Sequence, residues 1–207
     1  MNLLAILGVL LGTIVMIGLV WRYAYFCPSW LVPLLENPYV ETIAGAAFLV
    51  RRAGVRPGMQ VLDAGCGPGR ITLPAAEAVG ASGRVLALDI QPRMLEKLER
   101  RLRDQGISNV TTLRAGLGDG ALPPNEFDVA FLVTVLGEVP DKPGALREIY
   151  RSLRAGGVLS VTELLPDPHY QPIRRVRELA RSAGFREQRL FSGVVSYTMN
   201  LVKDAES

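Results

Sequence analysis

The 207 residues include 23 Lys and Arg against 20 Asp and Glu, a formal net charge of +3, and 49% of them are apolar. This length suits one α/β domain with an appendage, and so small a charge excess argues against a nucleic-acid surface. Two cysteines and one histidine exclude a disulfide scaffold and a Cys/His cluster, so no metal site is expected.

The apolar excess sits at the N-terminus, where residues 3–20 contain neither a charge nor a proline. As a helix this run spans roughly 27 Å, close to a hydrocarbon core of about 30 Å. Trp21, Tyr23, Tyr25 and Phe26 follow as interfacial aromatics would, and Arg22 can reach headgroups. Met1-Asn2 supplies no basic n-region, and the run is too long for a signal peptide. It also lacks the polar face of a core helix. Residues 1–22 therefore read as a single retained membrane anchor. Basic residues begin only beyond it, which favours the cell membrane with the remaining chain on the cytoplasmic side. Gly8 and Gly12 form a small-xxx-small pair through which two anchors would associate as a homodimer. A connector over 23–54, broken by Pro28, Pro33 and Pro38, ends in a helix over 39–53 that Gly54 stops.

Next comes Val61-Leu62-Asp63-Ala64-Gly65-Cys66-Gly67-Pro68-Gly69-Arg70, after the turn signal Arg56-Pro57-Gly58. It opens as a short apolar strand and closes where a helix can start, at Ile71-Thr72-Leu73. A strand, a glycine-rich turn and a helix let a small ligand approach the backbone. Glycines serve there because a Cβ would block both positive φ angles and close approach. The spacing is Gly-x-Gly-x-Gly, with Arg70 where a dinucleotide fingerprint has its third glycine. That departure, with Asp63 near the strand's end, points away from NAD and toward S-adenosylmethionine (SAM).

Beyond the loop, strand and helix signals alternate. A strand over 84–89 precedes a helix over 92–105 with Met94, Leu95, Leu98 and Leu102 on one face. Strands over 110–114 and 128–133 follow, then a helix over 141–153 with Leu146, Ile149, Tyr150 and Leu153 together. Gly156-Gly157 reads as a turn into a strand over 158–164. A helix over 173–183 and two closing strands, 185–191 and 194–202, complete the chain. This alternation predicts an α/β domain over 55–207 with a mostly parallel sheet covered on both faces.

Residues 55–203 resemble class I SAM-dependent methyltransferases. The resemblance rests on the glycine loop, Leu86-Ala87-Leu88-Asp89-Ile90, Phe127-Asp128-Val129, and Leu153-Arg154-Ala155-Gly156-Gly157-Val158-Leu159. Leu146-Arg147-Glu148-Ile149-Tyr150-Arg151-Ser152-Leu153 looks like the small-molecule branch that includes ubiquinone/menaquinone-biosynthesis methyltransferases. The resemblance implies a Rossmann-like fold with a seven-stranded sheet and SAM as cofactor. It places the methionine portion of SAM at Ala64, Gly65, Gly67 and Gly69, with Asp63 near the ammonium. Asp89 would accept the ribose hydroxyl protons and Ile90 would lie on the adenine face. Gly118 and Asp119 match the adenine edge, while Val133 and Thr134 would border the sulfonium.

Three residues are candidates on the acceptor side. Glu138 lies in Leu136-Gly137-Glu138-Val139-Pro140-Asp141. Glu163 and His169 lie in Glu163-Leu164-Leu165-Pro166-Asp167-Pro168-His169-Tyr170. His169 has the chemistry to take a proton near neutral pH. Glu138 and Glu163 would orient an acceptor or meet the ammonium, or would start helices. Arg174, Arg175, Arg177, Arg181, Arg186 and Arg189 form a basic stretch suited to anionic headgroups or to a solvated face. The whole reads as a membrane-anchored SAM-dependent methyltransferase for a small or lipophilic acceptor, since tethering raises encounters with membrane substrates. Without a clear base constellation, S-, N- or phenolic O-acceptors are favoured. The alternatives are a non-catalytic SAM-binding membrane protein and an NAD-dependent oxidoreductase.

Overall fold

The alternating pattern becomes one seven-stranded sheet in the computed structural model, which describes residues 45–165 and 167–204. The strands are β1 (Gln60–Ala64), β2 (Arg84–Asp89), β3 (Val110–Arg114), β4 (Phe127–Val133), β5 (Leu153–Leu164), β6 (Arg186–Ser192) and β7 (Ser196–Val202). Their order is β3-β2-β1-β4-β5-β7-β6. Only β7 runs against its neighbours. The order reverses between β1 and β4, and in such sheets ligands bind outside the carboxyl ends of the strands at that switch.

Among the described residues, five helices flank the sheet: α1 (Ala46–Arg52), α2 (Thr72–Val79), α3 (Pro92–Asp104), α4 (Lys142–Ser152) and α5 (Ile173–Ser182). On one face, Leu49, Val50, Ala75 and Val79 of α1 and α2 pack on Val61, Val85, Val129 and Phe131. Helix α3 adds Leu95, Leu98 and Leu102 above Ala87, each buried leucine contributing about 1.5–3 kcal/mol. On the other face, Leu146, Ile149, Val176 and Leu179 of α4 and α5 cover Leu62, Leu132, Leu159 and Val161. Helix α4 starts as read, with the Asp141 carboxylate accepting from the Gly144 N–H at 3.0 Å.

Three boundaries differ from the sequence reading by more than a residue, the first at Gly45, which falls within the helix read over 39–53 but has φ −53° and ψ 127°, outside α1. Strand β5 begins at Leu153, so Gly156-Gly157 is a bulge inside a strand rather than a turn before one. Phe127 faces Leu153 and Val129 already faces Val158. The bulge survives because β7 satisfies it: Gly156 N–H donates to the Lys203 carbonyl and Lys203 N–H to the Gly157 carbonyl. Strand β7 starts at Ser196, because residues 193–195 form the hairpin apex between β6 and β7. Asp128 works at the opposite end of the sheet from the glycine loop. It accepts from Gln60 N–H at 2.7 Å and from the Arg154 guanidinium at 2.9 Å, clamping β1 to β5.

The anchor read over 1–22, with Gly8 and Gly12, lies outside the described residues, as does the helix read over 39–53 before residue 45. Among the described residues, no helix is long and apolar enough to cross a membrane.

Candidate active site

Strand β1 delivers the glycine loop to the switch point, and β2 holds it there. The N–H groups of Gly65 and Cys66 both donate to the Leu88 carbonyl, at 2.7 and 2.9 Å. Gly65 has φ +78°, and a Cβ on it would lie 2.5 Å from a Val135 methyl. Gly69 has φ +98° and abuts Leu98 of α3. Gly67, at φ +52°, opens onto space, and a Cβ on it would meet nothing within 4 Å. Outside the loop, the Arg101 guanidinium donates to the Pro68 carbonyl at 3.1 Å, so α3 braces the turn from behind.

Two carboxyl groups converge on this loop. Asp63 is buried on the α1–α3 face and accepts from the Thr72 hydroxyl at 2.6 Å, at the start of α2. Burial raises its pKa to about 7, against the Thr72 hydrogen bond that lowers it, while nearby Asp89 raises it further. Asp89 ends β2, with one oxygen accepting from Gly67 N–H at 2.9 Å and the other from Gln91 N–H at 2.8 Å. Burial raises its pKa too, opposed by those backbone donors. Two buried acids beside a glycine turn fit a ligand that brings a cation and hydroxyl donors. The methionine ammonium and ribose of SAM supply both. Ile90, 43% exposed, presents an open apolar surface next to Asp89.

The remaining cofactor candidates gather at the same end. Asp119 closes a tight turn by accepting from Gly116 N–H at 3.0 Å. Gly118, at φ +101°, donates its N–H to Glu148. Thr134, just beyond β4, has φ +55°, which for a β-branched residue costs about 1–3 kcal/mol. Its N–H donates to the Thr162 carbonyl at 2.8 Å and its hydroxyl to the Val133 carbonyl at 2.7 Å. Strain of that kind clusters at ligand sites, and here it lies where the sulfonium is expected.

On the α4–α5 side, Glu163, Glu138 and His169 come together around the end of β5. Glu163 is 1% exposed. One of its oxygens accepts from Gln171 N–H at 3.1 Å, and the other has no hydrogen-bond partner among the described residues. Burial drives its pKa to about 8; Asp167 and Glu138 raise it further, and Lys142 opposes. The Tyr197 hydroxyl donates to the Gln171 carbonyl at 2.5 Å and fixes the segment that faces Glu163. His169 N–H donates to the Asp167 carboxylate at 2.7 Å, and the His169 side chain is only 11% exposed. The backbone of His169 lies so close over Gly137 that a Cβ there would collide with its carbonyl. Glu163 and Asp63 stand on opposite faces of the sheet, by strand alternation from Val161 and Val61.

Sequence reasoning missed Glu148 as a site residue. It is 2% exposed within α4, accepting from Gly118 N–H at 2.5 Å and from Leu122 N–H at 3.0 Å. The available signal was a carboxylate at a core-facing helix position beside Ala145, Ile149 and Ser152. Glu148→Ala should strand the buried Leu122 N–H, at about 1–3 kcal/mol, and remove the bond from the exposed Gly118, at about 0.5–1.5 kcal/mol. The expected outcome is a melting temperature lowered by roughly 5–15 °C and a raised KM for SAM, read by calorimetry and steady-state kinetics. An unchanged KM would detach Glu148 from the cofactor loop.

Residues 56–189 match a family model described as a methyltransferase domain. The chain belongs to this methyltransferase family. The family is that of SAM-dependent methyltransferases, which sets aside the oxidoreductase alternative. The ubiquinone/menaquinone biosynthesis C-methyltransferase UbiE of Shewanella oneidensis is 38% identical over 133 residues, 64% of this chain and 53% of the relative. The match thus spans about half the length of that relative. Among solved structures, a SAM-dependent methyltransferase from Aquifex aeolicus superimposes with TM-score 0.80 at 21% identity, covering 86% of this methyltransferase and all of that chain. The arsenic(III) S-adenosylmethionine methyltransferase of Chlamydomonas reinhardtii gives TM-score 0.62 at 24% identity over 73% of this chain and 65% of its own. These structural likenesses establish the fold.

Proposed function

We propose that this methyltransferase is membrane-anchored, with its catalytic domain on the cytoplasmic side, and acts on a lipophilic acceptor that loses a proton during transfer. An isoprenoid phenol is the acceptor class that fits best. The carrying observation is Glu163, a buried carboxyl with one oxygen unpartnered among the described residues and a pKa of about 8. A phenol near 10 lies about two units from such a base, whereas an ordinary carboxylate near 4 would be about six units away. The name of the Shewanella oneidensis relative, a C-methyltransferase of quinone biosynthesis, supports a phenolic or quinol-like ring. Once the proton leaves a phenol, either its oxygen or an adjacent ring carbon becomes nucleophilic. Glu163, one of the three acceptor-side candidates, would serve as that base.

SAM, when bound, supplies a methyl group already activated by its sulfonium. Ala64, Gly65, Gly67 and Gly69 would receive its methionine portion, with Asp63 as counter-ion to the ammonium. Asp89 would hold the ribose, Ile90 the adenine face, Gly118 and Asp119 its edge, and Val133 and Thr134 the sulfonium. The protein's main contribution is then alignment and exclusion of water.

Incubating the full chain with labelled SAM and a membrane lipid extract should place the label in a phenolic isoprenoid fraction. Label in aminophospholipids or lipid thiols would overturn the phenol assignment. Removing residues 1–20 should leave SAM affinity intact while lowering turnover of bilayer-embedded acceptor at least tenfold. Equal turnover in liposomes would sink the anchored reading.

A further inference from the structure

Four arginines of the basic stretch that stands out in the sequence are paired with carboxylates at the surface. Arg174 and Arg175 lie 3.0 and 3.9 Å from Glu178 in α5. Arg177 reaches Glu187 at 2.6 Å, and Arg186 reaches Asp204 at 2.9 Å. Four arginines thus share three carboxylates, which reduces the charge this face presents. A different cationic feature runs along edge strand β6. The Arg52 guanidinium stacks between Phe48, at 3.9 Å from the ring centre, and Phe191, at 4.3 Å. Arg189 stacks on the same Phe191 at 4.6 Å, and Arg51 approaches Phe48 at 5.8 Å. Partial burial lowers the pKa of Arg52, and repulsion from Arg189 lowers it further.

This ladder leads upward to an apolar tip. Strand β6 runs with β5, since both oppose β7, so both finish at the end of the sheet that carries the site. There the β6–β7 hairpin apex exposes 98% of Val194, and Leu165 at the end of β5 is 46% exposed. The two segments are joined by Leu165 N–H donating to the Val195 carbonyl at 2.7 Å. Leu165 lies two residues from Glu163, so the tip rims the acceptor side. Residues 1–44 precede α1, the helix that supplies Phe48, Arg51 and Arg52, and their apolar run over 3–20 is the expected anchor. Five positions along the chain separate Arg189 in β6 from Val194 in the apex, at most about 18 Å. An interfacial element sinks its apolar side about 5–10 Å below the headgroups and keeps its cations among them. Arginines on long stems above an apolar tip satisfy both requirements.

We propose that the Leu165/Val194 rim inserts into an anionic bilayer surface. The Arg51–Arg52–Arg189 ladder on Phe48 and Phe191 would hold phospholipid headgroups, so that the acceptor mouth opens directly to the membrane. This rests on the anchored, lipophilic-acceptor reading, and it adds an orientation: the acceptor enters sideways from the lipid, past Glu163.

The test uses the full chain with Cys27→Ser and a nitroxide on Val194→Cys, the remaining Cys66 being buried. It is reconstituted into phosphatidylcholine vesicles with or without about 30 mol% phosphatidylglycerol. Relaxation by oxygen should exceed relaxation by an aqueous nickel chelate, and the difference should grow at least twofold with phosphatidylglycerol. Arg52→Gln with Arg189→Gln should abolish that growth while SAM binding, the folding control, persists. A nitroxide fully accessible to nickel in both lipids would overturn the rim. Shielding from both reagents with dipolar broadening would overturn it as well, because a second copy of the chain would then cover the patch. Carbonate extraction of the same vesicles reports on the anchor separately. A chain that washes off with its label immersed refutes the anchor and supports the rim. A chain that resists washing with its label in water does the reverse.

Discussion

Asp89→Ala should weaken SAM binding roughly a hundredfold or more, seen by titration calorimetry. The side chain already holds the glycine loop through Gly67 N–H and the entry to α3 through Gln91 N–H. Its remaining acceptor capacity lies at the end of β2, where the two ribose hydroxyls are expected. Hydrogen bonds to a charged group contribute about 1.5–3 kcal/mol each, and about 3 kcal/mol corresponds to a factor near 100 in Kd. Asp89→Asn, which keeps one carbonyl oxygen, should fall between wild type and alanine. Affinity unchanged in both variants would move the ribose site off β2. A loss in alanine with none in asparagine would show that bracing the loop, rather than charge, is what the ligand needs.

Glu163→Gln should lower kcat by about 10²–10⁴ with little change in KM for SAM, the range for losing a positioned base. The rise of the wild-type rate through about pH 8, where Glu163 ionises, should flatten in the variant. Stability should move in the opposite sense. The carboxyl keeps its proton in the folded chain up to about pH 8 but loses it near 4.5 when unfolded. The folded state therefore holds the extra proton between those values, and wild type loses stability as pH rises across that window. The loss is about 1.4 kcal/mol per pH unit. Glutamine does not titrate, so the variant's advantage in melting temperature should be near zero at pH 4.5 and largest at pH 8. A pH-independent gap between the two proteins would show that Glu163 is not buried as a neutral acid. An unchanged kcat with the stability trend intact would leave it a structural carboxyl and exclude it as the base.

The glycine turn and the two acids that the structure brings to it were legible in the chain because each is local. Asp63 through Gly69 and Asp89 through Ile90 each occupy a strand end and the turn after it. Within a turn, φ angles and the absence of a Cβ do the work. Helix α3 was legible for a similar reason, its Met94, Leu95, Leu98 and Leu102 recurring at helical spacing and all buried. The place of Asp128 was not legible in isolation. It sits in a recognisable motif, yet strand β4 carries it to the far end of the sheet, where it clamps Gln60 and Arg154. The strain at Thr134 could not be read either, because nothing in Val133-Thr134-Val135 favours a positive φ. In the fold the Thr134 N–H is tied to the Thr162 carbonyl on β5, a partner 28 positions away in the chain.

The sequence by itself determined the alternation that makes a doubly covered sheet, the glycine turn and its acids, and an apolar N-terminal run of spanning length. Periodicity, turn chemistry and hydropathy are properties of short windows, so short windows reveal them. Only the tertiary structure decided the acceptor side. Burial at the end of β5, with Asp167 and Glu138 close by, raises the Glu163 pKa to about 8. Arg189 and Arg52, 137 positions apart in the chain, met on Phe191 only when α1 packed against the edge of the sheet. Burial and long-range charge pairing depend on which distant elements become neighbours, and that depends on the whole fold.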